Sequence, residues 1–291
     1  MTPLQLIKLN ALMQKTSGRP EIVVGLIDGP VMMQHTALLT GNIRAIAGVQ
    51  TGTCKTPNSF ACIHGTFVAG ILSATRHSTA PGICPDCTLL VRPIFHETMK
   101  NNGIMPQTTP EHLAAAIVET IEGGARIVNL SLAIETSTIG GHRQLQDALD
   151  FAASRRAMLV SATGNQGTVG GTVLTQHTAV IPVMAYGLQS RPLDLSNLGI
   201  SIGRHGLGAP GENITSLGPT ETAYTLSGTS AAAPFVTGTI ALLWSLFPSA
   251  TVEQMKFSIT QSTGQRRKTV VPPLVDAEAA YHQLHANQSR R

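Results

Sequence analysis

The 291-residue chain is poor in charge: Lys, Arg, Asp and Glu make up 12% of it, about half the share of an average soluble domain. Twenty basic against 16 acidic side chains leave a net +4, and only Arg266, Arg267 and Lys268 form a cluster. A nucleic-acid surface needs a basic stripe on one face, so that class is excluded. Hydrophobic residues at 42% exclude disorder as the dominant state. No apolar run reaches the roughly 20 residues of a membrane-spanning helix, the longest surrounding Ala241 to Phe247. The opening MTPLQLIKLNALMQKTSGRP is interrupted by Lys8 and lacks the continuous apolar stretch and cleavage site of a secretory signal. The expectation is a soluble chain without a membrane span, of cytoplasmic location unless a signal has been removed. Internal repeats, low-complexity stretches and Pro/Ser-rich linkers are also missing, which predicts one domain over 1–291. A C-terminal extension, from about 264 to 291, is expected to pack back through Leu274 and Val275.

Cysteine is scarce and clustered: Cys54, Cys62, Cys84 and Cys87. Clustering favours local disulfides, with free thiols and a four-thiolate zinc site as alternatives. The Cys84-x-x-Cys87 spacing suits zinc, whereas Cys54 and Cys62 stand farther apart than the usual two to four intervening residues.

What the chain does have is a series of short apolar runs rich in β-branched residues. These are Glu21 to Ile27, Thr88 to Ile94, Arg126 to Leu132, Ala157 to Ala162 and Thr178 to Ala185. Runs of this kind read as strands buried on both faces. Helical patterns lie between them at His64 to Thr75, Pro110 to Glu122 and His142 to Arg155. Strands alternating with helices predict an α/β fold of three layers, a mostly parallel central sheet flanked by helices. Ligands in such sheets bind beyond the carboxyl ends of the strands, which draws attention to Asp28 and Asn165.

Three segments carry chemistry: Leu26-Ile27-Asp28-Gly29, His64-Gly65-Thr66 and Ser227-Gly228-Thr229-Ser230 with Ala231-Ala232-Ala233-Pro234. Singly, each has a plain reading as a turn, a structural histidine or a helix cap. Jointly they place an acid, an imidazole and a hydroxyl in one order. A serine needs an imidazole to take its proton, and the imidazole needs an acceptor to hold its tautomer. His64 and Ser230 are expected to begin helices, with Gly65 and Gly228 letting the backbone approach a substrate. Pro234 is expected to be tolerated because early helical N–H groups lack acceptors. The glycines at 164, 167, 170 and 171 do not make a phosphate loop, since the Walker lysine and the Gly-x-Gly-x-x-Gly pattern are missing.

These segments resemble those of subtilisin-type serine proteases, with DGPVMMQH similar to the family's aspartate segment, HGTFVAG to its histidine helix and GTSAAAP to its nucleophile helix. The resemblance implies Asp28 as orienting carboxylate, His64 as general base and then acid, and Ser230 as nucleophile. It aligns Ala162-Thr163-Gly164-Asn165 with the family's oxyanion segment, making the Asn165 amide a donor to the developing charge. It also implies that Leu130, Ser131, Leu132 and Ala133 form an edge strand pairing with an extended peptide. Ala162, Thr163 and Gly164, with the loop from Gly167 to Thr172, would border the first specificity pocket. The implied partner is a peptide or protein substrate in extended conformation, and no cofactor is required for the chemistry. Many subtilisins bind structural calcium, but no compact run of oxygen ligands appears here.

Phe67, Ala231 and Phe235 depart from the commonest family pattern without removing a triad atom. His35 is read as structural, and Tyr224 as a packing residue. The stretch Leu9 to Val31 and the Pro85-Asp86-Cys87-Thr88-Leu89-Leu90 segment resemble the cyanobactin maturation proteases, which trim or macrocyclise precursor peptides. Macrocyclisation needs an inserted lid that excludes water from the acyl-enzyme. No insertion of that size is seen, so the expected activity is hydrolysis by a selective processing endopeptidase. The alternatives are a secreted, broadly degradative subtilase and a non-cleaving peptide-binding relative.

Overall fold

The apolar runs become strands of one parallel sheet in a computed structural model that describes residues 1–39, 42–46, 52–97, 108–132, 139–260 and 267–288. The strands are β1 (Val23–Asp28), β2 (Ile43–Ala45), β3 (Thr88–Pro93), β4 (Ile127–Leu130), β5 (Met158–Ala162), β6 (Val180–Tyr186) and β7 (Leu207–Pro210). Their order is β2-β3-β1-β4-β5-β6-β7, every neighbouring pair parallel. The short β2 and the Gly/Pro-containing β7 lie outside the expected runs. An antiparallel pair, β8 (Ile214–Leu217) and β9 (Ala223–Leu226), precedes the last long helix.

Side chains alternate across each strand, which separates two apolar layers. Val24 and Leu26 of β1 face the layer that holds the helices Phe60–Ser73 and Thr229–Leu246. Ile27 faces the other layer, that of the helices Pro110–Glu122 and Ile139–Ser154. By the same alternation Asp28 points toward the first layer, where His64 and Ser230 reside. The chain winds from β1 to β3 on one side and to β4 on the other, so the order reverses at β1. The carboxyl end of β1 is therefore the crevice where an open α/β sheet binds ligands.

Helix Thr229–Leu246 is buried around nearly its whole circumference and passes beneath β4, β5, β6 and β7. Among the described residues it alone is long and apolar enough to cross a membrane, and 89% of that window is buried in the core. The C-terminal segment returns to the sheet: Leu274 bridges Gly208, the Val275 N–H donates to the Gly208 carbonyl, and Val275 is buried.

Candidate active site

The helix that carries His64 begins earlier than its sequence implied. Ser59 caps it by accepting a hydrogen bond from the Cys62 N–H, and Phe60 is its first residue. His64 thus sits in the second turn, corrected from the helix start, because the Ser cap one turn upstream decides where the helix begins. Gly65 has a different use from the one expected. A Cβ there would lie 2.5 Å from both the Gly29 and the Pro30 carbonyl oxygens, so the missing side chain lets the helix close on the end of β1 rather than on a substrate. That closure brings His64 Nδ1 to 2.7 Å from Asp28 Oδ1. Both residues are buried. Asp28 Oδ1 also accepts from the Gly29 N–H at 2.6 Å. A carboxylate facing Nδ1 holds the proton on that nitrogen and leaves Nε2 as an acceptor. Nε2 lies 3.0 Å from Ser230 Oγ, so the hydroxyl can donate to it.

Ser230 is the second residue of its helix, as expected, and its N–H has no intrahelical acceptor. Gly228 precedes the helix with φ +139°, and a Cβ there would meet the Asn165 side chain at 2.9 Å. This glycine too makes room for a protein group, the amide of Asn165. Asn165 Oδ1 accepts from both the N–H and the hydroxyl of Thr229, each at 2.9 Å. Its oxygen is thus doubly engaged, and the side chain is exposed. The Gly164 N–H in turn donates to Thr229 Oγ1 at 3.2 Å. Thr229 was missed from the sequence, where it reads only as a cap.

Pro234 lies beyond the free N–H groups of the helix start, which corrects the reason given for its tolerance. It has no N–H to donate to the carbonyl of Ser230. Ser131 Oγ supplies that donor instead, at 3.1 Å. Ser131 is itself held by the Asn129 amide at 2.7 Å, and the Thr237 hydroxyl donates to Asn129 Oδ1 at 2.8 Å. This buried chain runs in one direction and ends on the backbone of Ser230.

Leu130 does not lie on an edge strand. β4 pairs with β1 on one side and β5 on the other, so its ladder positions have no free edge. Leu130 is buried in the layer of the helices Pro110–Glu122 and Ile139–Ser154. Only Ser131 and Leu132, past the last ladder position, remain available to a peptide backbone, and Ala133 lies outside the described residues. Ala162 and Thr163 are buried at the end of β5, and the Thr163 N–H donates to the Val183 carbonyl. Gly164 follows with φ +101° and turns the chain toward Asn165.

The cysteines divide into two states. Cys54 and Cys62 form a disulfide, while Cys84 and Cys87 are buried thiols. The bonded pair excludes a four-thiolate zinc site. Glu97 approaches the two bonded sulfurs, but these are not thiolate donors, and the carboxylate accepts from the Lys55 and Thr56 N–H groups. The hydrogen bond to Cys87 and then burial push the Cys84 thiol well above its usual range.

His35 is structural in its contacts: its Nδ1 accepts from the Ala37 N–H, and its Nε2 faces Glu221 at 3.6 Å. Tyr224, expected to pack, is exposed on β9, a strand that pairs with β8 alone among the described residues. Phe67 and Phe235 are buried, one on each of the two helices that carry His64 and Ser230.

Residues 19–283 match the subtilase family, peptidase S8. Subtilisin DY from Bacillus licheniformis is 25% identical over 256 residues, covering 86% of each chain. Among solved structures, a mutant of the protease domain of PatA superposes with a TM-score of 0.82 at 29% identity, covering 93% of this chain and 97% of that one. The prenylagaramide maturation protease PagA superposes with a TM-score of 0.81 at 27% identity, covering 95% and 98%.

Proposed function

The chain belongs to the subtilase family and is a serine endopeptidase, and we propose that Ser230 is its nucleophile, acting on a peptide precursor that it cuts by hydrolysis. The observation that carries the assignment is the unbroken line from Asp28 Oδ1 through His64 to Ser230 Oγ, at 2.7 and 3.0 Å.

In this mechanism Ser230 Oγ attacks the scissile carbonyl carbon as its proton passes to His64 Nε2. Asp28 keeps the imidazole oriented and stabilises its protonated form. The carbonyl π pair moves onto oxygen, where the Ser230 N–H and the Asn165 Nδ2 donate to it. Collapse of the tetrahedral species breaks the C–N bond, and the amine leaves with the proton from His64. Water then repeats the sequence on the acyl-enzyme: His64 takes its proton, and Ser230 departs as the alcohol. Ser131 and Leu132, beyond the end of β4, support the reading that main-chain groups there hold the substrate extended. No metal or cofactor has a step in this scheme.

A fluorophosphonate probe tests the nucleophile. Wild type should be labelled on Ser230, and Ser230→Ala should fold normally and stay unlabelled. Equal labelling of both overturns the assignment.

The choice of a precursor peptide rests on likeness to proteins named as maturation proteases, over more than nine tenths of each chain. Mass spectrometry of digests separates it from a degradative role. A processing enzyme cuts a precursor peptide at one site and leaves casein largely whole, whereas many cuts in casein would reject processing while leaving the endopeptidase intact.

A further inference from the structure

We infer that Asn197, a residue of the loop between β6 and β7, is a positioning residue for the Asn165 amide, an inference that rests on reading that amide as the donor to the oxyanion. Asn197 Oδ1 accepts three hydrogen bonds: from the Gln166 N–H at 3.0 Å, the Thr168 N–H at 3.1 Å and the Thr168 hydroxyl at 3.1 Å. Its Nδ2 donates to Gln166 Oε1 at 2.7 Å, and its own N–H donates to the Gly164 carbonyl at 3.0 Å. All five fall on residues 164, 166 and 168, on both sides of Asn165, and none on Asn165 itself.

The loop needs such a hold. It leaves the end of β5 where the sheet ladder has stopped, and it turns through two glycines in the left-handed region, Gly164 at φ +101° and Gly167 at φ +63°. Glycine imposes no preference of its own on those turns, so bonds to a neighbouring segment must choose among them. The segment around Asn197 does so. Gly167 N–H donates to the Leu195 carbonyl, Leu198 N–H to Thr168 and Gly170 N–H to Leu198. Within that splint the Asn197 side chain holds Gln166 and Thr168, which follow Asn165, while its backbone N–H holds Gly164, which precedes it.

Asn165 is therefore held at two points: its side chain by Thr229 at the start of the Ser230 helix, and its flanking backbone by Asn197. An oxyanion donor is effective because it is in place before the charge develops. A misplacement of about 1 Å can cost up to ~100-fold in rate. Replacing Asn197 by alanine leaves the Gln166 and Thr168 N–H groups without their shared acceptor and loosens the chain just after Asn165, while the backbone bonds between the two segments stay.

The experiment is a kinetic double-mutant cycle on a chromogenic peptide substrate, with kcat and KM measured for wild type, Asn197→Ala, Asn165→Ala and the double variant. Asn197→Ala should lower kcat roughly 10-fold with KM changed less than about twofold. In the Asn165→Ala background the same substitution should change kcat less than about twofold, because residues acting as a unit are not additive. Thr168→Val, which removes one of the three bonds to Oδ1, should show a smaller loss that also disappears without Asn165. An equal loss in both backgrounds, or no loss in wild type, overturns the role of Asn197. Unchanged kcat in Asn165→Ala alone rejects the oxyanion reading instead. Thermal unfolding of each variant verifies that the chains compared are folded, and Thr168→Val serves if Asn197→Ala does not fold.

Discussion

The hydroxyl of Ser131 donates to the carbonyl of Ser230, the helical oxygen that Pro234 leaves without its usual partner. The carboxyl end of β4 and the backbone of Ser230 are thus joined directly. Ser131→Ala should strand that carbonyl in a nearly dry site and lower stability by about 1–3 kcal/mol. Denaturant unfolding measures it. Ser131→Thr keeps the donor and should lose less; an Ala variant as stable as wild type would reject the role of this bond.

Thr229 orients the Asn165 amide with two donors on one oxygen. Thr229→Val keeps the N–H and the shape but deletes the hydroxyl. It should lower kcat about tenfold, below the ~10² to 10³ loss that removing an oxyanion donor causes in subtilisin itself. Thr229→Ser, measured in parallel, should stay near wild type.

Gly65→Ala forces a Cβ against two backbone oxygens that cannot rotate away. The cost should lie at the upper end of the overpacking range, about 3 kcal/mol. Because the added atom wedges the His64 helix from β1, turnover should fall together with the melting temperature. A variant with full activity would show that the Asp28–His64 approach does not depend on this contact.

Thiol titration distinguishes the two cysteine pairs. The unfolded, unreduced chain should present two thiols, those of Cys84 and Cys87, and all four after reduction. In the native protein Cys84 should react slowly, since its bond to Cys87 and its burial suppress the thiolate.

His205 should weaken the fold in acid. Burial, then the nearby Lys256 charge, with smaller contributions from Arg204 and Arg267, lower its pKa from 6.5 to about 4. Between those values the unfolded chain binds a proton that the folded chain does not, so stability falls as pH drops from about 6.5 to about 4. The slope is at most ~1.4 kcal/mol per pH unit and is reduced by the partial exposure of the ring. His205→Asn should flatten that part of the melting-temperature profile, and an unchanged slope would refute the assignment.

The sheet was legible in the sequence because strands covered on both faces must be apolar without interruption. The Pro110–Glu122 helix was legible for a related reason, a Thr cap and proline at its start followed by a regular apolar face. Asp28, His64 and Ser230 were legible because each sits in a local pattern that a reader can recognise without knowing what it touches. The edge reading at Leu130 failed because the same apolar letters serve an internal strand and a border strand. Only pairing on both sides tells them apart.

By itself, the sequence determined the α/β alternation, the order of acid, imidazole and hydroxyl, and the strand end on which the acid falls. The tertiary structure decided which cysteines bond, what Gly65 and Gly228 make room for, and how Thr229, Ser131 and Asn197 converge on the reacting groups. The bonds that Thr229, Ser131 and Asn197 make to Asn165, to Ser230 and to the loop at 164–168 join residues from 29 to 99 positions apart. No periodicity or local spacing records such a contact, because it exists only once the sheet has brought its strand ends together.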